Sequence, residues 1–325
     1  MAWLLVLREN LYFFEQVIVL LSCVLSFLGS ILIIVTYILW PDLRSRPRLL
    51  LLFLSIADLL SAVSYFYGVL RNFDESTWDC VTQGALSTFS NISSFFWTVA
   101  VAVYLYITIV QSQQNFADQI VPWIHLISWG VPLVITLSAV FLEKIGYDAS
   151  YVSVGWCWIR IDIEDKLLWM LLAGKIWEIL AYLMLPVLYI LIKKHIGRAH
   201  AALAEYRPIL ASTPVNQSRT IADKKLIFIP LIFIFLRIWS TIRFILTLCN
   251  SPAVHNPFLV TLHGIGNTFQ GGANCITFVL CTPVIRSRLL FSLTSCCRSS
   301  ISNDYRGNET STGETYGSTA ETPES

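Results

Sequence analysis

Seven stretches of this 325-residue chain are each long and apolar enough to cross a bilayer, which constrains its fold more than any motif. They run Phe14–Trp40, Leu49–Leu70, Val81–Val110, Ile120–Leu142, Leu167–Ile192, Leu226–Cys249 and Pro257–Cys281. A helix rises about 1.5 Å per residue, so about 20 mostly apolar residues cover the roughly 30 Å of hydrocarbon. With 13% charged residues against 55% hydrophobic ones, the chain is unlike a soluble domain, where about a quarter of residues are charged. The expected fold is all-α: a seven-transmembrane helix bundle. The third block is the least uniform, because Ser87, Ser90, Asn91, Ser93, Ser94 and Thr98 make its first half polar. In lipid such residues belong on a bundle-facing side.

Orientation follows from the basic residues of the loops. One set of loops carries Arg44, Arg46, Arg48, Lys193, Lys194, Arg198, Arg207, Arg219, Lys224, Lys225, Arg286, Arg288, Arg298 and Arg306. The other carries Arg8, Arg71, Lys144, Arg160 and Lys166. The bias places the N-terminus outside and the C-terminus in the cytoplasm of a multi-pass plasma-membrane protein, although the loop Gln111–Gln119 has no basic residue. Residues 1–13 are expected to be a short extracellular N-terminus, residues 14–281 the core, residues 282–297 a juxtamembrane segment and residues 298–325 a disordered cytoplasmic tail. Met1–Leu7 lacks a basic leader and a cleavage site, so the first span is expected to act as its own insertion signal. Of the sequons at Asn91, Asn216 and Asn308, the first falls in a span and the others on the inner side, so no glycan is expected. No basic run with interleaved aromatics is present, which argues against nucleic acid as a partner.

Of eight cysteines, Cys80 and Cys157 sit clearly on the outer, oxidising side. A bridge between them, against the alternative of two free thiols, would pin the loop before span five over the bundle mouth. Cys23, Cys249, Cys275 and Cys281 read as small apolar packers, and no metal-ligand spacing is present. Pro283–Leu293 puts Arg286 and Arg288 on one side and Leu289, Leu290, Phe291 and Leu293 on the other, an amphipathic helix along the inner leaflet. Cys296 and Cys297 after it are candidates for S-palmitoylation, the alternative being plain thiols.

Ionisable residues within spans are the sharpest functional signal, since each is costly without a partner or water. They are Asp58, Lys175, Glu178, Arg237 and Arg243, with His263 a softer case. Glu178 and Arg237 lie roughly 18 Å deep in neighbouring spans and are placed to pair, with Lys175 one turn above Glu178. One reading is a structural lock of Glu178 with Arg237 or Lys175. The other is an outward-facing pocket of Lys175, Arg243 and His263 preferring a polar or anionic ligand. Asp58 fits a polar hub or sodium site, or a hydrogen-bonded packing residue. Span seven carries four glycines between Gly264 and Gly272, permitting close approach or a kink, and Pro186 and Pro230 add expected break points in spans five and six.

Five blocks then carry a resemblance. They are F-F-W-T-V-A-V-A-V-Y-L-Y (Phe95–Tyr106), S-W-G-V-P (Ser128–Pro132), W-C-W (Trp156–Trp158), K-L-I-F-I-P-L-I-F (Lys225–Phe233) and N-T-F-Q-G-G-A-N-C-I-T-F-V-L-C (Asn267–Cys281). In order and position they resemble the secretin, adhesion and slime-mould cyclic-AMP-receptor branch of G-protein-coupled receptors. The pattern departs at Val101 and Ala102, where that branch has an acid and a glycine, and at Phe233, where it has a glycine. The resemblance implies a receptor, without enzymatic activity or cofactor, that passes an extracellular signal to a heterotrimeric G protein. It adds Trp158, Asn267 and Gln270 to the pocket and switch candidates. Arg44, Arg46, Arg198, Lys224, Lys225, Arg286 and Arg288 are candidates to face the G protein or, alternatively, lipid headgroups. Tail Ser and Thr residues would be targets for receptor kinases and then arrestin. The alternative reading is a seven-span transporter of a small polar solute, though spans one to three and five to seven share no motif. A retinal-bound pump would need a lysine in span seven, which has none.

Overall fold

The apolar blocks form helices in the computed structural model, which describes residues 2–71, 73, 75–148, 155–205, 228–280, 282, 283, 285–292 and 294. The first four spans are α1 (Ala2–Leu39), α2 (Arg46–Arg71), α3 (Trp78–Ile109) and α4 (Gln114–Phe141). The fifth comprises α5 (Lys166–Met170), a π-helical turn (Leu171–Lys175) and α6 (Ile176–Glu205). The sixth is α7 (Ile229–Leu248). The seventh comprises α8 (Pro257–Thr268), α9 (Gln270–Cys275) and a second π-helical turn (Ile276–Leu280), with a break at Phe269. Among the described residues, six helical stretches are long and apolar enough to cross a membrane. The helices overrun the hydropathy blocks, most of all in α1, which begins at Ala2 rather than Phe14.

Burial is inverted relative to a soluble bundle. Leu126, Val134, Leu183, Val187 and Phe235 face outward, where lipid solvates them, while Ser87, Ser90, Ser93, Ser94 and Thr98 of α3 are buried. Helix α3 packs against α2, α4 and α6, and α1 against α2, α8 and α9. Ser61 donates to Ser90 over 2.9 Å and Thr268 to Ser22 over 2.7 Å, so short hydroxyls hold the helices together.

The breaks fall elsewhere than at the prolines. Pro230 occupies the first turn of α7, where its missing N–H leaves no helical bond unmade, and α6 continues through Pro186 to Glu205. The interruptions are the two π turns and Phe269. Two span-seven glycines serve close approach: a Cβ on Gly266 would stand 2.0 Å from the Leu236 carbonyl oxygen, and one on Gly271 would stand 2.1 Å from Ser30 Oγ. Gly266→Ala is therefore expected to force α8 from α7, at about 1–3 kcal/mol or more. Surface abundance checks this: an alanine variant present at wild-type levels would refute the contact.

Between spans four and five, β1 (Ile145–Gly146) pairs antiparallel with β2 (Trp158–Ile159), Ile145 opposite Ile159. The Cys80–Cys157 disulfide ties this hairpin to the start of α3, with Cα atoms 5.5 Å apart. The Cys157 N–H donates to Gln83 Oε1 over 2.8 Å. Thr77 caps α3, accepting from the Cys80 N–H.

Contacts divide the chain into Met1–Thr282 and Pro283–Ser325. In the second unit Ile285–Ser292 is helical and exposes Leu290 and Phe291. Lys224, Lys225, Cys296, Cys297, the sequons at Asn216 and Asn308 and the Ser/Thr-rich tail lie outside the described residues.

Candidate functional site

A cavity of about 460 Å³, open solvent at its mouth included, lies in the bundle at the bridged end. Trp156 and Trp158, on either side of Cys157, line it together with Tyr65 of α2 and Phe95 of α3. Its polar lining comes from Thr88 and Asn91 of α3, Lys175 and Glu178 of the fifth span, Arg237 and Ser240 of α7, and His263 and Asn267 of α8.

Lys175 Nζ donates to Glu178 Oε2 over 2.8 Å and also to Ser240 Oγ. Glu178 Oε1 accepts from the hydroxyls of Tyr182 and Thr241, each at 2.6 Å. Glu178 therefore takes Lys175, and not Arg237, as its ion-pair partner. Residues three apart share a helical face, so this pair forms without help from another helix. Arg237 turns instead toward α3 and α8. Its Nη1 donates to Asn267 Oδ1 over 3.0 Å and its Nη2 to Asn91 Oδ1 over 2.8 Å, with the guanidinium 4.9 Å from the centre of the Phe95 ring. Asn91, noticed in the sequence only as a sequon and as part of a polar half-span, also donates to Tyr65 Oη.

Lys175 and His263 line the cavity, but Arg243 stands behind His263, with Nη1 2.7 Å from His263 Nδ1 and Nε donating to the Val254 carbonyl. Asp58 lies off the cavity as a hub of three spans, accepting from Ser94 Oγ at 2.7 Å and Asn274 Nδ2 at 3.0 Å. Gln270 is buried but does not line the cavity, and neither of its amide atoms has a partner among the described residues.

At the opposite end, Arg44 donates to the carbonyls of Tyr37 and Ile38, satisfying the last turn of α1. Arg46 lies 3.7 Å from Asp118, which accepts from Tyr104 Oη at 2.9 Å. Arg198 is exposed, and Arg286 and Arg288 belong to the second unit. Flanking the hairpin, donation from Lys144 holds the Asp165 carboxyl below the usual carboxylate range, and donation from Arg160 does the same for Asp162.

The sequence profile of the 7 transmembrane receptor (Secretin family) matches residues 12–271. The chain is 66% identical over 286 residues to G-protein coupled receptor 157 of Mus musculus, covering 87% of this chain and 86% of that protein. The protein of the same name from Homo sapiens is 66% identical over 281 residues, covering 86% and 84%. Among solved structures, squid rhodopsin superposes with a TM-score of 0.66 over 89% of this chain and 88% of its own, at 14% identity, a likeness of fold alone.

Proposed function

Because this chain belongs to the secretin family of seven-transmembrane receptors, we propose that the bridged end faces outside the cell and that the cavity there is the ligand site. The chain is a G-protein-coupled receptor of a receptor family rather than an enzyme family. The observation that carries the site reading is Arg237, which joins α7 to Asn91 of α3 and Asn267 of α8 at the cavity wall. A ligand that takes an N–H from Arg237 changes what holds three spans together. The fifth and seventh of the spans around the cavity contain the irregular turns, and π-helical turns recur at functional sites.

In this reading the end with Arg46, Asp118 and exposed Arg198 meets the heterotrimeric G protein at the cytoplasmic face of the plasma membrane. The Asp58 hub lies between, tying α2 and α3 to α9. The tail is then cytoplasmic and a target for receptor kinases and arrestin, and Cys296 and Cys297 are its candidates for lipidation.

The test is expression in cells with a panel of Gα biosensors and no added ligand, beside Arg237→Ala. Wild type is expected to activate one Gα class basally, and the variant to change that signal several-fold at equal surface density. A variant that signals like wild type would remove Arg237 from the switch.

A further inference from the structure

Four side chains at the cavity form a chain of contacts in which donors outnumber acceptors. Arg243 Nη1 stands 2.7 Å from His263 Nδ1, His263 Nε2 stands 2.9 Å from Asn267 Nδ2, and Arg237 Nη1 donates to Asn267 Oδ1 over 3.0 Å. Arginine only donates, so His263 Nδ1 must accept. A neutral imidazole then carries its proton on Nε2, where it meets the N–H of Asn267. Turning the Asn267 amide relieves that contact and sets its N–H against Arg237 instead. A protonated imidazole adds a clash with Arg243. Each of these assignments leaves a donor facing a donor.

Arg237 has further unmet demand. It is 3% exposed, and its Nε–H finds no acceptor among the described residues. Its hydrogen-bond partners, Asn91, Asn267 and Tyr65, are neutral, and it joins none of the ion pairs among the described residues. Asp58 feels its charge, but a buried cation in direct contact with no carboxylate is a costly arrangement unless something else supplies the acceptor. Water can fill such a gap, but only a negative group also balances the charge.

We infer that the cavity takes a small organic anion, a carboxylate that accepts the surplus N–H groups of Arg237 and Asn267, carried on a flat apolar body that packs against Trp156, Trp158, Tyr65 and Phe95. With the anion bound, the Asn267 amide turns, its oxygen accepts from His263 Nε2–H, and its N–H joins Arg237 in donating to the ligand. Every contact in the chain then pairs a donor with an acceptor. An amine is a poor fit, because the Glu178 carboxylate already accepts from Lys175, Tyr182 and Thr241. This inference rests on the cavity being the receptor's ligand site.

The test is thermal unfolding of the purified full-length receptor in lipid nanodiscs. The probes are indole-3-acetate, benzoate and 2-naphthoate, each beside its uncharged primary amide at matched ionic strength. The acids are expected to raise the midpoint by a few degrees at millimolar concentration, and the amides to leave it unchanged. Asn267→Asp builds the missing carboxylate into the protein, where it accepts from both Arg237 and His263. That variant is expected to melt above wild type and to ignore the acids, whereas a residue there for packing alone would melt lower when a charge is buried in its place. Equal shifts from acid and amide, no shift from any acid beyond that of chloride, or an Asn267→Asp protein less stable than wild type would each overturn the inference. Those failures leave the receptor reading intact if Arg237→Ala still alters basal Gα activation. Acid-dependent stabilisation that no Gα sensor follows would retain the anion site and remove its role as the switch.

Discussion

Glu178→Ala is expected to cost about 3–5 kcal/mol, the range for removing one partner of a buried ion pair. The side chains of Lys175 and Glu178 are 5% and 3% exposed, so neither solvent nor headgroups can take over the lost interaction. After the substitution the Lys175 ammonium keeps Ser240 but has no anion, and the hydroxyls of Tyr182 and Thr241 both lose the Glu178 oxygen they share. Thr241 belongs to α7, so the damage crosses from the fifth span to the sixth. Glu178→Gln is expected to fall between, because its amide oxygen still accepts from the hydroxyls while the charge is lost. Removing both charges, as Lys175→Met with Glu178→Met, is expected to recover much of the loss, since no buried charge is then left alone. Thermal unfolding in nanodiscs and surface abundance measure the series. A double variant less stable than Glu178→Ala would mean that the hydroxyl contacts, and not the ion pair, matter most.

The seven spans were legible because bilayer thickness fixes a length that apolar blocks must meet. Their ends were not, because hydropathy marks where lipid is crossed and not where the backbone leaves the helix, as α1 shows by running back to Ala2. The breaks escaped notice for a related reason. A proline is visible in a sequence, whereas the π turns at Leu171–Lys175 and Ile276–Leu280 have no compositional mark. Within the site, depth along a helix can be counted, which put Glu178 and Arg237 at one level. Azimuth cannot be counted so simply, and Arg237 faces α3 and α8. Its partner Asn91 was visible as a polar residue within an apolar span, but its role depends on contacts 146 residues apart. Two of the departures from the family pattern, Ala102 and Phe233, meet in the fold. Ala102 and Phe233 share one buried cluster with Phe95, Ala181 and Leu185, and the Phe233 ring meets Phe95 edge-on at 5.3 Å. A small residue on α3 and a large one on α7 thus stand at the two positions of lost glycines within one apolar cluster.

Loss of the Cys80–Cys157 bridge is the second large effect expected. The bridged residues are 77 apart, and closing a loop of that length is worth about 4–5 kcal/mol in the chain-entropy model. The effect should fall mainly on the cavity end, because the bridge anchors a loop that supplies two of its walls. Trp156 and Trp158 flank Cys157, Trp156 packs edge-on against Tyr65 at 4.5 Å and His263 at 5.9 Å, and β2 carries Trp158 beside Ile145 and Gly146 of β1. Nearby contacts are tight, with a Cβ on Gly84 of α3 falling 2.6 Å from Ile145, so the hairpin cannot shift without loosening from α3. Cys80→Ser, Cys157→Ser and the double substitution are expected to lose the same surface abundance and the same response, since each breaks the same bond. The hydrogen bond from Cys157 N–H to Gln83 Oε1 belongs to the backbone and survives both substitutions, so it offers a separate check. Gln83→Ala also removes the Gln83 Nε2 bond to Ser64 Oγ, so if it proved as damaging as the serine variants, the Gln83 side chain, and not the covalent closure alone, would be holding the loop over the cavity.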